Sequence, residues 1–469
     1  MTSATLDVRS PYNNELLGSV KCANSLDVDT ALKTAYELFR SRRNWLSLTQ
    51  RIEILQKTAQ IMGERADTLT LQAAREGGKP LMDSRVEVRR AIQGIHCCID
   101  SLRNEGGEVV PMNITSASVG RLAMTTKEPV GVVVAVSAFN HPLNLIVHQV
   151  APAIATGCPV IVKPAKDTPL SCLSFVEILY EAGLPESWCQ ALVIDDHELA
   201  EQLVTDERLG FFSFIGSASV GWMLRSKLAP GVRCALEHGG VAPVILLDDA
   251  DLSCALPSLT KGSFYHAGQV CVSVQRIFVH QSIAEKFVAA LAKSASQLRV
   301  GDPTLESTEV GPLIRPAEQQ RVNDWVQEAI KSGADVLCGA KVSDHNCYMP
   351  TVLFNPSNDC KISKQEIFGP VVAVYSYTDI DEALRIANRL NVPFQAAVFT
   401  QNIDNAISIY RQFDASAVMI NDHTAFRTDW MPFSGLRNAG LGVGGISHTM
   451  RDMQVEKLLV LNSPKLIGL

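Results

Sequence analysis

EPVGVVVAVSAF at residues 128–139 is the stretch that decides the fold, because an apolar run bounded by Pro and Gly predicts a buried strand. The segments that follow alternate between the two patterns: strands at PVIVKPA (159–165), ALVIDD (191–196) and LGFFSFIGS (209–217), helices at SCLSFVEILYEAG (171–183) and SVGWMLRSKL (219–228). Such alternation predicts parallel strand pairing in a doubly wound α/β sheet. Sheets of this kind bind ligands at the carboxyl ends of their strands.

The chain on either side of this stretch extends the α/β pattern. Before it, apolar residues repeat at helical spacing over residues 28–39, with Ser25 and Asp27 as candidate caps. Similar spacing continues to about Leu102. After it, a second strand–helix series runs over residues 241–400. The sequence therefore predicts two α/β units.

Composition narrows the class of protein. The chain has 469 residues, more than one hydrophobic core accommodates, and its 46% hydrophobic and 19% charged residues are ordinary for a globular enzyme. A net charge of −7 argues against a nucleic-acid partner. With no targeting signal and no apolar run of ~18 residues, we expect a cytoplasmic protein that does not enter a membrane. The twelve cysteines have neither disulfide nor metal-site spacing, so free thiols and no metal are expected.

Two motifs have the chemistry of an anion or nucleotide site. In FSFIGSASVG (212–221) a strand ends, Gly216 follows and a helix begins near Ser217, so backbone N–H groups and the helix dipole suit a pyrophosphate. Only Gly216 and Gly221 are present, without the full G-x-G-x-x-G pattern, and many such turns bind nothing. In VIVKPAKDTP (160–169), Lys163 is either a solvated lysine or a hydrogen-bond donor to a cofactor.

Two further motifs have the chemistry of a base and a nucleophile. LEHGGVAP (236–243) sets Glu237 beside two glycines, where a partly buried carboxylate has a raised pKa and can act as a base. FYHAGQVCVSVQR (264–276) sets Cys271 among small and apolar residues. Taken singly, Glu237 could be an exposed residue in a turn and Cys271 a buried core cysteine. The loops EIFGPV (366–371) and 421–442 are suited to lining a pocket.

In this order, the segments resemble the aldehyde dehydrogenase superfamily from about residue 8 to the C-terminus. The resemblance rests on G-Q-x-C at Cys271, L-E-x-G-G at Glu237 and E-I-F-G-P at Glu366. It implies a Cys271 nucleophile, a Glu237 base and Asn140 of SAFNHPLN as donor to the oxyanion. The implied contacts to an NAD or NADP cofactor are Lys163, Lys166, Gly216, Ser217, Gly221, Glu366 and Phe368.

The chain departs from the common family pattern at several positions. His141 replaces an apolar residue beside Asn140, as in lactaldehyde-type and phosphonoacetaldehyde-type branches. Lys166 stands where NAD-preferring relatives often carry an acidic residue, so we expect NADP to be used at least as well as NAD. The candidate substrate contacts are His141, Val270, Val272, His423 and Arg427. The valines suggest an apolar throat, and the other three could bind an anionic group or lie at the surface.

The resemblance also implies how the chain is divided. The expected segments are a Rossmann-type dinucleotide-binding domain (1–108 and 128–239), an α/β catalytic domain (240–446) and a β oligomerisation arm (109–127 and 447–469). Residues 109–127 predict a β-hairpin, either an ordinary surface hairpin or an arm that, with the strand EKLLVLN (456–462), pairs with another subunit in a homodimer or homotetramer.

We therefore expect NAD(P)-dependent oxidation of a small, anionic or hydroxylated aldehyde to a carboxylic acid, through a thiohemiacetal and a thioester on Cys271. Glu237 favours hydrolysis of the thioester, because relatives that transfer the acyl group to coenzyme A lack this glutamate. The alternatives are such a coenzyme A-acylating dehydrogenase, or a non-catalytic family member with a structural or binding role. Intact Asn140, Glu237 and Cys271 count against the second alternative.

Overall fold

The computed structural model describes residues 4–467. Its helices are α1 (Ser25–Arg40), α2 (Leu48–Glu64), α3 (Ala66–Gly77), α4 (Leu81–Asn104), α5 (Asn144–Thr156), α6 (Pro169–Glu181), α7 (His197–Thr205), α8 (Ala218–Arg225), α9 (Leu252–Phe264), α10 (Gln281–Gln297), α11 (Pro316–Lys331), α12 (Lys361–Lys364), α13 (Ile380–Ala387), α14 (Ile403–Gln412) and α15 (Ile446–Asp452). Its strands are β1 (Thr5–Arg9), β2 (Leu16–Lys21), β3 (Val109–Val110), β4 (Arg121–Pro129), β5 (Val132–Val136), β6 (Val160–Lys163), β7 (Cys189–Ala191), β8 (Leu209–Ile215), β9 (Arg233–Glu237), β10 (Pro243–Leu246), β11 (Arg276–His280), β12 (Asp335–Cys338), β13 (Thr351–Phe354), β14 (Val371–Tyr377), β15 (Gln395–Phe399), β16 (Ala417–Ile420), β17 (Gly440–Leu441) and β18 (Gln454–Asn462).

The predicted doubly wound sheet is present and confirms the α/β class. Within residues 4–467 it has six strands in the order β17-β9-β8-β5-β6-β7, parallel except for β17. Successive side chains of β5 point to opposite faces. Val132 and Val134 pack in the core with α1, α7 and α8, whereas Val133 and Ala135 pack in the core with α2, α4, α5 and α6. Helices thus cover both faces, which explains why β5 is apolar throughout.

The second α/β unit is built on a sheet of its own. Seven strands of the described chain pair in the order β12-β13-β14-β11-β10-β15-β16, with β12 as the antiparallel edge strand. Its core is a single cluster that joins these strands to α9, α10, α11 and α13. The predicted series over residues 241–400 therefore forms one unit, and β16 adds a strand that the sequence patterns did not reveal.

A smaller sheet forms from the two ends of the predicted arm. β18 pairs along its whole length with β4, and β3 pairs with the other side of β4. Before reaching β18 the chain returns to the six-stranded sheet, where β17 pairs with β9 and α15 packs against α4 and α5. None of the helices in the described part of the chain is long and apolar enough to cross a membrane.

Three local expectations differ from the structure. The third strand ends at Ala191 rather than running to residue 196, because only Leu192 N–H continues the ladder, to Val162 O. The N-cap of α1 is Asn24, and Asp27 completes the capping box from inside the helix. The strand β9, which ends at Glu237, was not predicted because its five residues, RCALE, form neither an alternating pattern nor a long apolar run.

Candidate active site

A cleft of about 840 Å³ opens where the six-stranded sheet changes its winding direction. The chain proceeds from β5 to β6 and β7 on one side, then places β8 and β9 on the other, so the switch point lies between β5 and β8. The carboxyl ends of β5, β6, β8 and β9 lead directly into residues that line the cleft. The second α/β unit closes the opposite side, with Cys271 and Glu366 in loops that precede β11 and β14.

Most of the residues singled out from the sequence meet in this cleft. Its walls include the expected catalytic residues Asn140, Glu237 and Cys271. They also include the expected cofactor contacts Lys163, Lys166, Gly216, Ser217, Glu366 and Phe368. Of the expected substrate contacts, His141, Val270, Val272 and Arg427 line the cleft. The structure brings together groups that lie far apart in the chain.

Two of the expected site residues do not line the cleft. Gly221 lies under the imidazole of His238, where an added Cβ would be 2.1 Å from its Cε1 atom. The absence of a side chain at Gly221 is therefore explained by packing. His423 lies against Gly262, and its Nδ1 accepts a hydrogen bond of 3.1 Å from Ala425 N–H.

The loop that presents Cys271 is held by the two residues of its G-Q pair. Gly268 has a φ of +69°, and an added Cβ there would lie 2.1 Å from Gly369 O, in the E-I-F-G-P loop. The side chain of Gln269 accepts from Ile314 N–H at 3.0 Å and donates to Pro312 O at 3.2 Å. The motif thus has a physical basis, because both residues fix the path of the backbone just before the thiol.

Backbone contacts tie the base to the nucleophile and to the Gly216 turn. Glu237 is the last residue of β9, and its carbonyl accepts from Gly216 N–H at 3.0 Å. Three residues later, Gly240 N–H donates to Cys271 O at 3.2 Å. Asn140 Nδ2 donates to Gln269 O at 2.9 Å, which leaves the second hydrogen of its amide for another acceptor. These contacts set the three expected catalytic groups side by side.

Burial and neighbouring charges shift the pKa values of these groups. Burial raises the pKa of the Cys271 thiol well above its usual range, the Glu237 charge raises it further, and the Arg427 charge opposes the shift. Burial also raises the pKa of Glu237, against the lowering effects of Arg427 and Arg90. The thiol is therefore protonated at neutral pH.

Two of the expected cofactor contacts, Glu366 and Lys163, carry polar groups without a close protein partner. Glu366 Oε1 is buried and has no hydrogen-bond partner among residues 4–467, and burial raises the pKa of this carboxyl to about 8. The Glu366 carboxylate occupies space that a side chain at position 239 would fill, because a Cβ added to Gly239 would lie 1.9 Å from Glu366 Oε1. Lys163 Nζ has one long contact, 3.4 Å to Pro164 O. An unpartnered acceptor and a weakly bonded donor in the same cleft as the Gly216 turn fit the hydroxyls and pyrophosphate of a dinucleotide.

The remaining cofactor candidates, Ser217, Phe368 and Lys166, also line the cleft. Ser217 is the N-cap of α8, and its hydroxyl has no capping bond to the helix. Phe368 has a φ of +45°, uncommon for a residue with a side chain, and its ring meets Phe139 edge to face at 5.8 Å. Lys166 Nζ forms an ion pair of 2.9 Å with Asp195, and both side chains are about half exposed.

The other half of the cleft contains a buried arginine. Arg427 is 9% exposed, its guanidinium stacks 3.5 Å from the ring centroid of Phe433, and its Nε has no partner among the described residues. Its nearest carboxylate there is Glu237, at 3.8 Å. Beside it, His141 Nε2 meets the Tyr265 hydroxyl at 3.0 Å. Burial lowers the pKa of His141 well below its usual range, so this imidazole is neutral.

Sequence reasoning missed several polar residues of this half. Arg90 and Tyr265 line the cleft, and His148 and Asp429 lie just behind it. Two of them had a signal in the sequence: Tyr265 lies six positions before the nucleophile, and Asp429 lies two positions after Arg427. Arg90 and His148 had none, because each lies inside an ordinary helix pattern.

Comparisons with known proteins agree with this geometry. The family model described as "Aldehyde dehydrogenase family" matches residues 1–459. The chain is 37% identical over 462 residues to 3-sulfolactaldehyde dehydrogenase of Priestia aryabhattai, covering 98% of this chain and 96% of the relative. A crystal structure of aldehyde dehydrogenase 21 from Physcomitrella patens, in complex with the reaction product succinate, matches with a TM-score of 0.94 and 33% identity, covering 98% and 95% of the two chains.

A second solved structure bears on the cofactor. Glyceraldehyde-3-phosphate dehydrogenase from Methanocaldococcus jannaschii DSM 2661, complexed with NADP, matches with a TM-score of 0.94 and 34% identity, covering 99% of this chain and all of the other. The chain belongs to the aldehyde dehydrogenase family. It is an NAD(P)-dependent oxidoreductase that acts on an aldehyde.

Proposed function

We propose that the chain oxidises a small aldehyde with an anionic group to the corresponding carboxylic acid and releases it by hydrolysis. The observation that carries the substrate class is the cation of Arg427. It lies in the cleft, is almost fully buried, and has no carboxylate closer than 3.8 Å among residues 4–467. A buried cation without a close partner is costly, and an anionic substrate group would provide the missing partner.

The first half of the reaction makes a thioester on Cys271. Glu237 takes the thiol proton and passes it to solvent, and the sulfur then forms a bond to the aldehyde carbon while the carbonyl electron pair moves to oxygen. The free Asn140 N–H and the Cys271 backbone N–H stabilise this oxyanion. When bound, NAD(P)⁺ supplies the acceptor for the hydride whose loss turns the thiohemiacetal into a thioester. Lys163, Glu366 and the Gly216 turn are the groups that would hold it.

The second half hydrolyses the thioester. Glu237 accepts a proton from water, the hydroxide adds to the acyl carbon, and the C–S bond breaks to give the acid and the Cys271 thiolate. The raised pKa of Glu237 supports this role, because a base is most effective when its pKa approaches the working pH. A carboxylate at this position favours water over coenzyme A as the acyl acceptor.

Three of the proteins compared above support an anionic substrate. One is named for 3-sulfolactaldehyde, which carries a sulfonate, and one for glyceraldehyde-3-phosphate, which carries a phosphate. A third was solved with the dicarboxylate succinate as reaction product. A neutral, hydroxylated aldehyde is the second candidate, because the hydrogen-bonded pair of His141 and Tyr265 could bind a hydroxyl group.

Matched aldehydes test the substrate class. We would follow NAD(P)H absorbance at 340 nm with succinic semialdehyde against butyraldehyde, and with 3-sulfolactaldehyde against lactaldehyde. We expect the anionic member of each pair to be preferred in kcat/KM, and Arg427→Met to remove the preference by raising KM for that member alone. Arg65→Met, which breaks an exposed ion pair with Glu181, is the control. Preference for the neutral members in the unmodified protein would favour the second candidate.

We also propose that NADP is used at least as well as NAD. Lys166 is half exposed at the edge of the cleft and can pair with a 2′-phosphate, although it must first leave Asp195. We expect comparable kcat/KM for the two cofactors, and Lys166→Glu to lower the value for NADP by roughly tenfold, the loss of one charge-assisted contact. Strict NAD use by the unmodified protein would contradict the proposal.

The arm suggests that the chain forms a homo-oligomer. β18 is an edge strand of its sheet, and Leu458, Leu459, Val460 and Leu461 are each 45% to 56% exposed. A long apolar edge favours pairing with another strand, and a second copy of the arm offers one. Native mass spectrometry should show a dimer or a tetramer, and a monomer at micromolar concentration would contradict the proposal.

A further inference from the structure

Arg90 and Arg427, two of the arginines that line the cleft, are paired in different ways. Arg90 binds Asp429 with two hydrogen bonds, Nε to Oδ2 at 3.2 Å and Nη2 to Oδ1 at 2.8 Å. Asp429 is 2% exposed, so this pair is largely withdrawn from solvent. Arg427 lies two positions before Asp429 in the chain, yet the described residues show no hydrogen bond between their side chains. Arg90 therefore has a carboxylate partner at hydrogen-bond distance, whereas the nearest carboxylate to Arg427 among the described residues is Glu237, at 3.8 Å.

His148 lies between Arg427 and Asp429. It belongs to α5 and is 6% exposed. Its Nε2 is 2.7 Å from Asp429 Oδ1, and its Nδ1 is 3.5 Å from Arg427 Nη2. A carboxylate can only accept, so Nε2 must carry the hydrogen, which leaves a lone pair on Nδ1 facing the guanidinium. Burial lowers the pKa of His148 to about 4, so the ring adds no second positive charge at neutral pH.

We infer that His148 is a positioning residue, a neutral spacer that holds Arg427 in place and keeps it from pairing with Asp429. The inference rests on the proposed function, in which Arg427 binds the anionic end of the aldehyde. A direct Arg427–Asp429 pair would neutralise the cation and draw it towards Asp429. The imidazole instead accepts a hydrogen bond from Arg427 and leaves the charge of the guanidinium in place. The Asp429 contact fixes the ring, and the ring and Phe433 fix the guanidinium.

The test separates positioning of the anion site from support of the fold. His148→Leu keeps an apolar side chain of similar size but removes the acceptor, and His148→Gln keeps both a donor and an acceptor. We would measure succinate binding by isothermal titration calorimetry, KM and kcat for succinic semialdehyde and butyraldehyde, and thermal unfolding. His148→Met repeats the test if His148→Leu does not fold.

We expect His148→Leu to raise the succinate Kd and the KM for succinic semialdehyde by about tenfold, the loss of one hydrogen bond to a charged group. The kcat for succinic semialdehyde and both constants for butyraldehyde should stay within about twofold. His148→Gln should recover most of the succinate affinity. Equal losses for both aldehydes would overturn the inference, because they would show a structural role alone.

Arg427→Met distinguishes failure of this inference from failure of the proposed function. If Arg427→Met weakens succinate binding and His148→Leu does not, the spacer role is wrong and the anion site stands. If neither variant changes succinate binding, the anion site is wrong and the spacer role falls with it. Non-additive losses in the double variant would support the inference, since the two residues would then act through one contact.

Discussion

The two halves of the cleft are positioned by different physical means. In the cofactor half, Lys163, Gly216 and Glu237 each end or directly follow a strand of the six-stranded sheet. Their places are set by parallel pairing, and in the same half Glu366 Oε1 has no hydrogen-bond partner among residues 4–467. In the substrate half, Arg427 and His148 come from a loop and a helix 279 positions apart and are held by side-chain contacts to each other. One half is fixed by the backbone, and the other by buried polar contacts.

The difference has consequences for function. Groups at strand ends keep their places when a neighbouring side chain changes, so a common cofactor can be bound by chains of low identity. A buried polar network depends on every member, because removal of one leaves the others without partners. The cofactor half should therefore be shared with distant relatives, whereas the substrate half should determine which aldehyde is accepted. Variants that affect one half should leave the binding constants of the other unchanged.

The largest expected effect comes from the residue between the two halves. Cys271→Ser should lower kcat by roughly 10⁴-fold or more, because it removes the group that forms the covalent intermediate. NADPH formation at 340 nm would measure the loss. Binding of NADP and of succinate should both stay within about twofold, since neither contact involves the sulfur. A variant that keeps a tenth of the turnover would show that Cys271 is not the nucleophile.

A smaller effect should be confined to the cofactor half. Gly239→Ala would place its Cβ within 2 Å of Glu366 Oε1 and force this carboxylate to move. Overpacking of this kind costs about 1–3 kcal/mol, so the Kd for NADP should rise by about 10- to 100-fold. Fluorescence titration with NADPH would measure it, and succinate binding should not change.

Gly63→Ala is the matched control for Gly239→Ala. Gly63 lies inside α2, where an added Cβ meets nothing within 4 Å, so this variant should bind NADP normally and unfold at a slightly higher temperature. If Gly239→Ala weakened succinate binding as much as NADP binding, the two halves would not be independent.

The sequence predicted the two halves unequally. Strand ends and Gly-containing turns leave local patterns, so Lys163 and Gly216 could be assigned to a ligand edge from the residues around them. Contacts between a helix and a distant loop leave none, so Arg90 and His148 could not be found. Gly221 shows the opposite case. A glycine at this position suggested a close approach to a phosphate, but the missing side chain makes room for the imidazole of His238.

The smallest expected effect tests whether Glu237 couples the two halves through charge. Its carboxylate raises the pKa of the Cys271 thiol, so Glu237→Gln should lower that pKa and increase the thiolate fraction at any fixed pH below it. Alkylation of Cys271 by iodoacetamide, followed by mass spectrometry of its peptide, should become about three- to tenfold faster at pH 8. Arg427→Met should act in the opposite direction, because the arginine lowers the same pKa. An unchanged alkylation rate in both variants would mean that burial alone sets the reactivity of the thiol, and that the charges of Glu237 and Arg427 do not affect it.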